Sequence, residues 1–296
     1  MGSKHQLSKV DKTINIFNVL LLSLICFVVI YPIYFMFITS ISDGFAVIRG
    51  EVYLYPIKIN FKAYQAIFLD KYIPRSYFNT ILYTTSGTLV SVIMTALCAY
   101  PLSRKNFFGR NLFTFLAVFT MFFNAGIIAN FLVVQKLGFI DTIWAIIIPP
   151  SINVWYMIIM RTFFQGIPDE IHESAYIDGA NDLVIFARLI VPLSKPVMAT
   201  MLLFYAVWHW NSFFPALLYL NKRELYPMQL VMRNIVIGSD LSNMQSAVAS
   251  VSGDMAVLGK NIKYSVIFIT IAPILAVYPF VQKYFVKGIM VGALKG

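Results

Sequence analysis

Six stretches of this sequence contain no Asp, Glu, Lys or Arg, and each is at least 19 residues long. They are residues 14–42, 76–103, 111–135, 142–160, 196–221 and 264–282. A helix needs about 20 mostly apolar residues to cross the hydrocarbon core of a membrane, because its backbone groups must pair within the segment there. The sequence therefore predicts an all-α integral membrane protein with six transmembrane helices, which together occupy residues 14–285.

The overall composition supports lipid as the solvent. Of the 296 residues, 59% are hydrophobic and 12% are charged, whereas a soluble domain carries about a quarter charged residues. The formal net charge is +10, but the basic residues stand at the ends of the apolar stretches, so a membrane is favoured over nucleic acid as the partner. The two cysteines lie inside apolar stretches and the three histidines have no ligand spacing, so neither a disulfide nor a metal site is predicted.

The positions of the basic residues also predict the orientation of the chain. Lys4, Lys9 and Lys12 precede the first helix, so the amino-terminal segment, residues 1–13, is expected to be cytoplasmic. Six helices would return the carboxyl-terminal tail, residues 286–296, to the same side. About twelve basic residues then fall inside and eleven outside, so the orientation rests on the amino-terminal segment and the short loops.

A long external segment is expected between the fifth and sixth helices. Within it, Ser239 and Asp240 precede an uncharged stretch of small residues that continues to Gly253. Because Ser and Asp are common at the amino-terminal ends of helices, a helix is predicted to begin at Ser239.

Residues 166–197 form a predicted cytoplasmic loop, hereafter the acidic loop. Pro168 suits the first turn of a helix, and the carboxylates of Asp169, Glu170 and Glu173 lie near the positive end of that helix. The alternative, an amphipathic connector lying on the membrane surface, would normally be basic. The acidic loop is therefore predicted to pair with basic groups on a partner.

The second half of the acidic loop predicts an angle in the chain. Gly179 is expected to end the first helix, and Asn181 or Asp182 is expected to cap a second one. Two prolines, Pro192 and Pro196, then redirect the chain into the fifth membrane helix. Small residues give the loop a low face that could seat in a groove: Ser174, Ala175, Gly179 and Ala180.

The spacing of these residues is similar to that of a known motif. The segment from Glu173 to Ala180, followed by Pro192, resembles the EAA loop of bacterial ABC-importer permeases, with Ser174 in place of the first Ala. The resemblance implies a coupling helix that docks in a cleft of an ATPase subunit, where Glu173 would face a basic residue and Gly179 would set the angle. The implied coupling residues are Glu173, Ser174, Ala175, Asp178, Gly179, Ala180 and Pro192.

Other segments resemble the carbohydrate-uptake branch of these permeases, of the maltose type with the short six-helix form. They are residues 137–145, 207–215 and 282–296, and residues 225–230 resemble the subfamily for oligosaccharides derived from polysaccharides. Residues 125–129 depart from the family pattern Gly-Gly-x-Ile-Pro. In the short form the tail reaches between two ATPases, which implies tail contacts by Gly292, Lys295 and Gly296.

The resemblance implies a type I ABC importer permease fold and a subunit, in the bacterial cytoplasmic membrane, that moves an oligosaccharide into the cytoplasm. The implied partners are a second homologous permease subunit, two ABC ATPase subunits and an extracellular solute-binding protein. ATP and Mg would bind the ATPases, and no cofactor would bind this chain. The sequence contains no G-x-x-x-x-G-K-[ST] phosphate loop, which fits a transport subunit that is not an enzyme.

Two other function classes compete with this interpretation. An ion- or proton-coupled carrier would be expected to place a carboxylate inside a span, and the six stretches contain none. A membrane enzyme would need a cluster of catalytic groups at one membrane face, and the acidic loop adds only His172 to its carboxylates. No catalytic residue is predicted.

Polar and aromatic side chains within the spans are candidates for contact with a substrate, because polar groups are costly in lipid unless they face a cavity or one another. Aromatic rings suit the C–H face of a sugar, and Asn can both donate and accept hydrogen bonds. The alternative role is hydrogen bonding between helices. The candidates are Asn79, Tyr83, Asn124, Asn130, Asn153, Tyr156, Trp208 and Asn211.

Overall fold

A computed structural model describes residues 9–246 and 260–279, and these residues form helices and no strands. The predicted tail contacts Gly292, Lys295 and Gly296 lie outside the described residues, as does most of the amino-terminal segment. The helices are α1 Lys9–Ser40, α2 Gly44–Ile48, α3 Lys62–Leu69, α4 Tyr72–Ser103, α5 Arg110–Phe122, α6 Gly126–Lys136, α7 Trp144–Ile147, α8 Val154–Gln165, α9 Asp169–Ile177, α10 Asp182–Ile185, α11 Val191–Leu193, α12 Lys195–Asn211, α13 Phe214–Tyr219, α14 Met228–Ser246 and α15 Lys260–Pro279.

Three helices are long and apolar enough to cross a membrane by themselves: α1, α4 and α15. They correspond to the first, second and sixth uncharged stretches of the sequence. The apolar side chains of α1 from Val10 to Ile30 are largely exposed in the isolated chain, as expected for a helix that faces lipid. The prediction of membrane-spanning helices at these three places is confirmed by their length and composition.

The other three stretches contain breaks, so each is divided between two helices. Helices α5 and α6 meet at an angle of 117°. At this bend Gly126 has a positive φ of 84°, and its N–H donates to Asn124 Oδ1 at 2.9 Å. The fourth stretch is divided between α7 and α8 around Pro149, whose missing N–H cannot continue the helical bonding. The fifth is divided between α12 and α13.

Helix α14 corrects a further expectation. It begins at Met228 and continues through Ser239, so Ser239 does not begin a helix. The N–H of Met228 donates to Thr80 Oγ1 at 2.7 Å, which gives a donor at the start of α14 a partner on α4.

The described residues fall into two compact units. The first comprises the described residues within Met1–Leu69 and Ile235–Ala272. In it, α15 is bonded to the end of α1: Asn261 Nδ2 donates to the Ser42 carbonyl at 2.8 Å, and Ser265 Oγ to the Ser40 carbonyl at 3.3 Å. Both donors are buried, so these bonds satisfy polar groups that would be costly to leave unpaired.

The second unit comprises the described residues within Asp70–Asn234 and Pro273–Gly296. Helix α4 lies at its centre, packed against α8 and α12. Its core includes Met157 on α8 and Met201 on α12, both almost fully buried. The Tyr205 hydroxyl is hydrogen bonded to Thr95 Oγ1 at 2.6 Å and accepts from the Asn153 N–H at 2.9 Å. Tyr205 on α12 therefore connects α4 with the start of α8, just after the break.

Candidate functional site

The acidic loop folds as two short helices separated by a turn. Helix α9 ends at Ile177, and Gly179 follows with a positive φ of 78°, a conformation that costs other residues about 1–2 kcal/mol. Asn181 Oδ1 then accepts from the Val184 N–H at 2.9 Å and caps α10. The predicted break at Gly179 is confirmed. Of the two residues predicted to cap the second helix, Asn181 is the one that does so.

The amino-terminal end of α9 is attached to the segment that follows α4 by charge. Asp169 accepts from Lys105 Nζ at 3.1 Å and lies 3.4 Å from Arg104 Nη1. The hydrogen bond from Lys105, with its positive charge, lowers the pKa of Asp169. Exposed ion pairs add little stability, so these contacts orient the start of α9, and the stability of its packing comes from its buried side.

The buried side of α9 packs against aromatic rings. His172 is 2% exposed, and its ring is stacked 6.2 Å from the ring of Tyr100 on α4. Tyr100 also lies 5.2 Å from Phe186, which follows α10. These three rings, hereafter the aromatic joint, connect the acidic loop to the central helix. Burial, and then the nearby Arg104 charge, lower the pKa of His172, so the ring is neutral at pH 7.

The outward side of the acidic loop presents charged, small and apolar groups together. Among the predicted coupling residues, the exposed ones are Glu173, Ser174, Asp178, Gly179 and Pro192. Ala175 is buried against the chain's own core, and Ala180 is partly buried there, so these two support the loop from beneath. Within the described part of the chain no ion pair involves Glu173.

Two apolar side chains on this outward side were missed by the sequence analysis. Ile177 is 86% exposed and Leu183 is 70% exposed, one on each side of the turn at Gly179. Large apolar groups so exposed, beside free carboxylates and away from the membrane spans, are typical of a protein interface. The sequence did carry a signal for them. Positions that flank an exposed glycine turn are normally polar, and here they are Ile and Leu.

The second unit also contains a cavity of about 800 Å³. It is lined by Tyr156, Leu203, Phe204, Val207, Trp208, Asn211, Ser212, Phe213, Phe214, Pro215, Ile274 and Tyr278. The lining is mostly aromatic and aliphatic, with a few hydroxyl, indole and amide groups. Its size is that of pockets that enclose small ligands, and no lining residue is charged.

Three of the eight predicted pathway residues line this cavity: Tyr156, Trp208 and Asn211. Tyr156 packs edge-on against Tyr205, with ring centroids 5.0 Å apart. Asn211 Nδ2 donates to the Val207 carbonyl of its own helix at 2.8 Å. Because an amide oxygen can accept two hydrogen bonds, Asn211 keeps acceptor capacity for a ligand.

The other five predicted pathway residues do not line the cavity. Asn79 Nδ2 donates to the Glu224 carbonyl at 2.7 Å, and the Tyr83 hydroxyl donates to the Leu225 carbonyl at 2.8 Å. These two bonds hold the segment after α13 against α4. Asn79 and Tyr83 therefore have the alternative role, hydrogen bonding within the fold, and not contact with a substrate. Asn124 and Asn153 accept from backbone N–H groups at helix starts, and Asn130 is exposed on α6.

A close contact behind the cavity was also missed by the sequence analysis. The buried ring of His209 lies against Gly87 of α4, where an added Cβ would be only 2.6 Å from the ring. His209 Nε2 is 3.2 Å from Ser91 Oγ. Glycine is therefore required at position 87 for this approach of α12 to α4. Two neighbours of His209, Trp208 and Asn211, line the cavity.

The loop before α7 is joined to the end of α13. Asp141 accepts hydrogen bonds from the backbone N–H groups of Asn221, at 2.5 Å, and Lys222, at 3.1 Å. The bond from Asn221 is the main reason that the pKa of Asp141 lies below its usual value. These contacts fix the turn that leads out of α13.

Comparison with known proteins gives a consistent result. Residues 87–291 match the family described as the inner membrane component of binding-protein-dependent transport systems. The chain is 41% identical over 277 residues to the polygalacturonan/rhamnogalacturonan transport system permease protein YtcP of Bacillus subtilis (strain 168), covering 94% of this chain and 95% of that protein. It is 40% identical over 294 residues to protein LplC of the same organism, covering 98% and 97%.

A solved structure agrees with these relatives. The crystal structure of a bacterial ABC transporter involved in the import of the acidic polysaccharide alginate contains a chain that is similar with a TM-score of 0.84 and 36% identity. The match covers 94% of this chain and 99% of that one. The fold is therefore that of a type I ABC importer permease, as predicted.

Permeases of this family work with ATPase subunits, a solute-binding protein and a second permease. ATP hydrolysis belongs to the separate ATPase subunits, so the chain is a transport subunit and not an enzyme. With its apolar helices and its match over most of its length, this chain belongs to the inner membrane components of binding-protein-dependent transport systems.

Proposed function

We propose that this chain forms one half of the pore of an importer that carries an oligosaccharide into a bacterial cell. The other half would be a homologous permease, and an extracellular binding protein would deliver the sugar. Both termini and the acidic loop would lie on the cytoplasmic side. Two ATPase subunits would bind there, holding ATP and Mg that this chain does not bind.

The observation that carries this proposal is the outward side of the acidic loop. A carboxylate, Glu173, and two apolar side chains, Ile177 and Leu183, are exposed around the turn at Gly179. Such a ridge suits a cleft that has an apolar floor and a basic group at its edge. Docking would bury the apolar side chains and pair the carboxylate, and both changes favour association.

The aromatic joint supports a mechanical role for the loop. Because His172 is stacked on Tyr100 and Asp169 contacts Lys105, we expect a displacement of α9 to move α4 with it. Helix α4 packs against α8 and α12, which line the cavity. Closure of the ATPases could thus alter access to the cavity through a short series of packed side chains.

The cavity supports a carbohydrate as the cargo. Sugars present C–H faces that pack on aromatic rings and hydroxyls that bond to amide and hydroxyl groups, and the lining offers both through Tyr156, Trp208 and Asn211. The name of one relative refers to polygalacturonan and rhamnogalacturonan, and the similar solved structure is of an importer of the acidic polysaccharide alginate. We therefore assign the three lining residues, and not the five other candidates, to the substrate pathway.

Replacing Gly179 by Ala tests the docking assignment. Gly179 has a positive φ and no atom within 4 Å of an added Cβ, so the change strains the turn without a clash. A strain of about 1–2 kcal/mol corresponds to about a tenfold effect. We expect Gly179→Ala to lower both co-purification of the ATPases and ATP-driven uptake of labelled trigalacturonate and maltotriose, in vesicles, by about tenfold.

Gly138→Ala is the matched control, because Gly138 also has a positive φ, of 71°, and open space around the added Cβ, but lies before α7. Its strain should cost similar stability and leave ATPase binding unchanged. Equal ATPase binding by the Gly179→Ala chain and the parent chain would contradict the docking assignment. Uptake of neither sugar by the intact parent complex would contradict the carbohydrate cargo.

A further inference from the structure

One cation lies beside the uncharged cavity. The guanidinium carbon of Arg233, on α14, is 5.8 Å from the ring centroid of Phe213, and that ring lines the cavity. Arg233 is partly buried. Because Phe213 lines the cavity and Arg233 lies over its ring, a positive charge lies within about one ring of any ligand that packs on Phe213.

The surroundings of Arg233 leave its charge available. Its Nη1 donates a hydrogen bond to the amide oxygen of its neighbour Asn234, at 3.3 Å. Among the described residues no carboxylate lies within ion-pair distance of it. A guanidinium has five N–H donors, and one long bond to a neutral amide leaves most of them for water or a ligand.

A neutral sugar would not need such a group. The aromatic rings and the hydroxyl, indole and amide groups of the lining already match a neutral ring and its hydroxyls. A guanidinium beside the cavity with most of its N–H donors available would form charge-assisted hydrogen bonds with an anionic ligand. The charge of Arg233 beside this uncharged lining thus favours a negatively charged cargo.

We propose that Arg233 binds a carboxylate of an acidic oligosaccharide, a chain of uronic acid residues, while it occupies the cavity. The inference rests on the proposed function, since it takes the cavity to be a carbohydrate site. Arg233 is then a specificity-determining residue: it forms a charge-assisted hydrogen bond to the sugar carboxylate, and Phe213 holds the guanidinium in place.

The test measures binding to the purified complex of the two permeases and the ATPases without the binding protein, so that the selectivity of the binding protein does not enter. The probes are trigalacturonate and its trimethyl ester, which share their rings and differ in charge. Isothermal titration calorimetry on the parent complex and on Arg233→Gln gives both affinities. We expect Arg233→Gln to weaken trigalacturonate binding about tenfold, the size of one charge-assisted bond, and to leave ester binding unchanged.

Arg223→Gln is the matched control. Arg223 also lies above an aromatic ring, that of Tyr72 at 4.1 Å, but neither residue lines the cavity. Its replacement should change neither affinity. The inference is overturned if Arg233→Gln weakens both probes equally, or if Arg223→Gln reproduces its effect. If the parent complex binds neither probe, the carbohydrate assignment of the cavity itself fails, which is a separate result.

Discussion

The acidic loop and the cavity are built in opposite ways. The acidic loop is a local structure: its turn, its cap and its exposed side all come from residues 169–184. An aromatic contact joins it to α4, and ionic contacts join it to the segment that follows α4. The cavity is assembled from α8, α12, α13 and α15, whose lining residues span Tyr156 to Tyr278. One region is specified by a segment and the other by the packing of helices.

This difference suits the roles proposed for the two regions. A surface that receives force must keep its shape and be firmly joined to what it moves, as the aromatic joint and the contacts of Asp169 provide. A cavity that admits and releases a cargo must change shape as helices shift, and a lining drawn from several helices can do so. Variants that affect one region without the other can therefore test the comparison.

The largest effect is expected from Gly87→Ala, on the cavity side. The added Cβ would lie 2.6 Å from the buried ring of His209, and α4 and α12 would have to move apart. Overpacking of this kind costs about 1–3 kcal/mol. We expect a lower midpoint of thermal unfolding in detergent and weaker binding of trigalacturonate, while the folded fraction still binds the ATPases.

The double variant Gly87→Ala, His209→Ala provides the control, because loss of the ring makes room for the new methyl group. It should recover part of the stability lost in Gly87→Ala. If the double variant is as unstable as the sum of its two single changes, the contact is not the cause. If ATPase binding is lost as completely as sugar binding, the two regions are not separable.

The sequence predicted the acidic loop well, for a physical reason. Proline at a helix start, glycine at a positive φ and asparagine at a cap each act on their own backbone, so their spacing along the chain reproduces the geometry. The exposure of Ile177 and the burial of Ala175 could not be derived in this way. They depend on which side of α9 faces α4, which is decided by the packing of His172.

The cavity was predicted poorly for the complementary reason. A polar residue in a span has the same sequence signature whether it faces a cavity, as Asn211 does, or satisfies a distant carbonyl, as Asn79 does. The partner of Asn79 lies 145 residues away, and no local pattern reveals it. The bend between α5 and α6 was likewise not predicted, because hydropathy reports apolar length and not direction.

Acidification is expected to lower the stability of the acidic loop, an effect of intermediate size. Burial is the main reason that the pKa of His172 is lowered, with a further contribution from Arg104, while Asp169 and Asp182 oppose it. The folded loop favours the neutral ring, and the unfolded loop takes up the proton near pH 6.5. The stability of the loop should therefore be fully present above about pH 6.5 and decrease as the pH falls below it.

Hydrogen exchange of the α9 amides at pH 7.5 and 5.5, corrected for intrinsic rates, measures this effect. His172→Phe keeps a ring against Tyr100 and removes the titrating group, so it should abolish the acid-induced loss of protection in α9. The residues around the cavity should be unaffected in both proteins. An equal loss of protection in His172→Phe would assign the effect to another group and remove His172 from the account.

The smallest effect is expected from Asn211→Ala, which removes one neutral hydrogen-bonding group from the cavity lining. A neutral hydrogen bond is worth about 0.5–1.5 kcal/mol, so trigalacturonate binding should weaken about three- to tenfold, with ATPase binding unchanged. Asn130→Ala is the matched control, because Asn130 is exposed and does not line the cavity. Equal loss of sugar binding in both variants would show that asparagine on these helices acts through helix packing and not through contact with the cargo. If Asn211→Ala alone changes ATPase binding, the cavity and the acidic loop do not act independently.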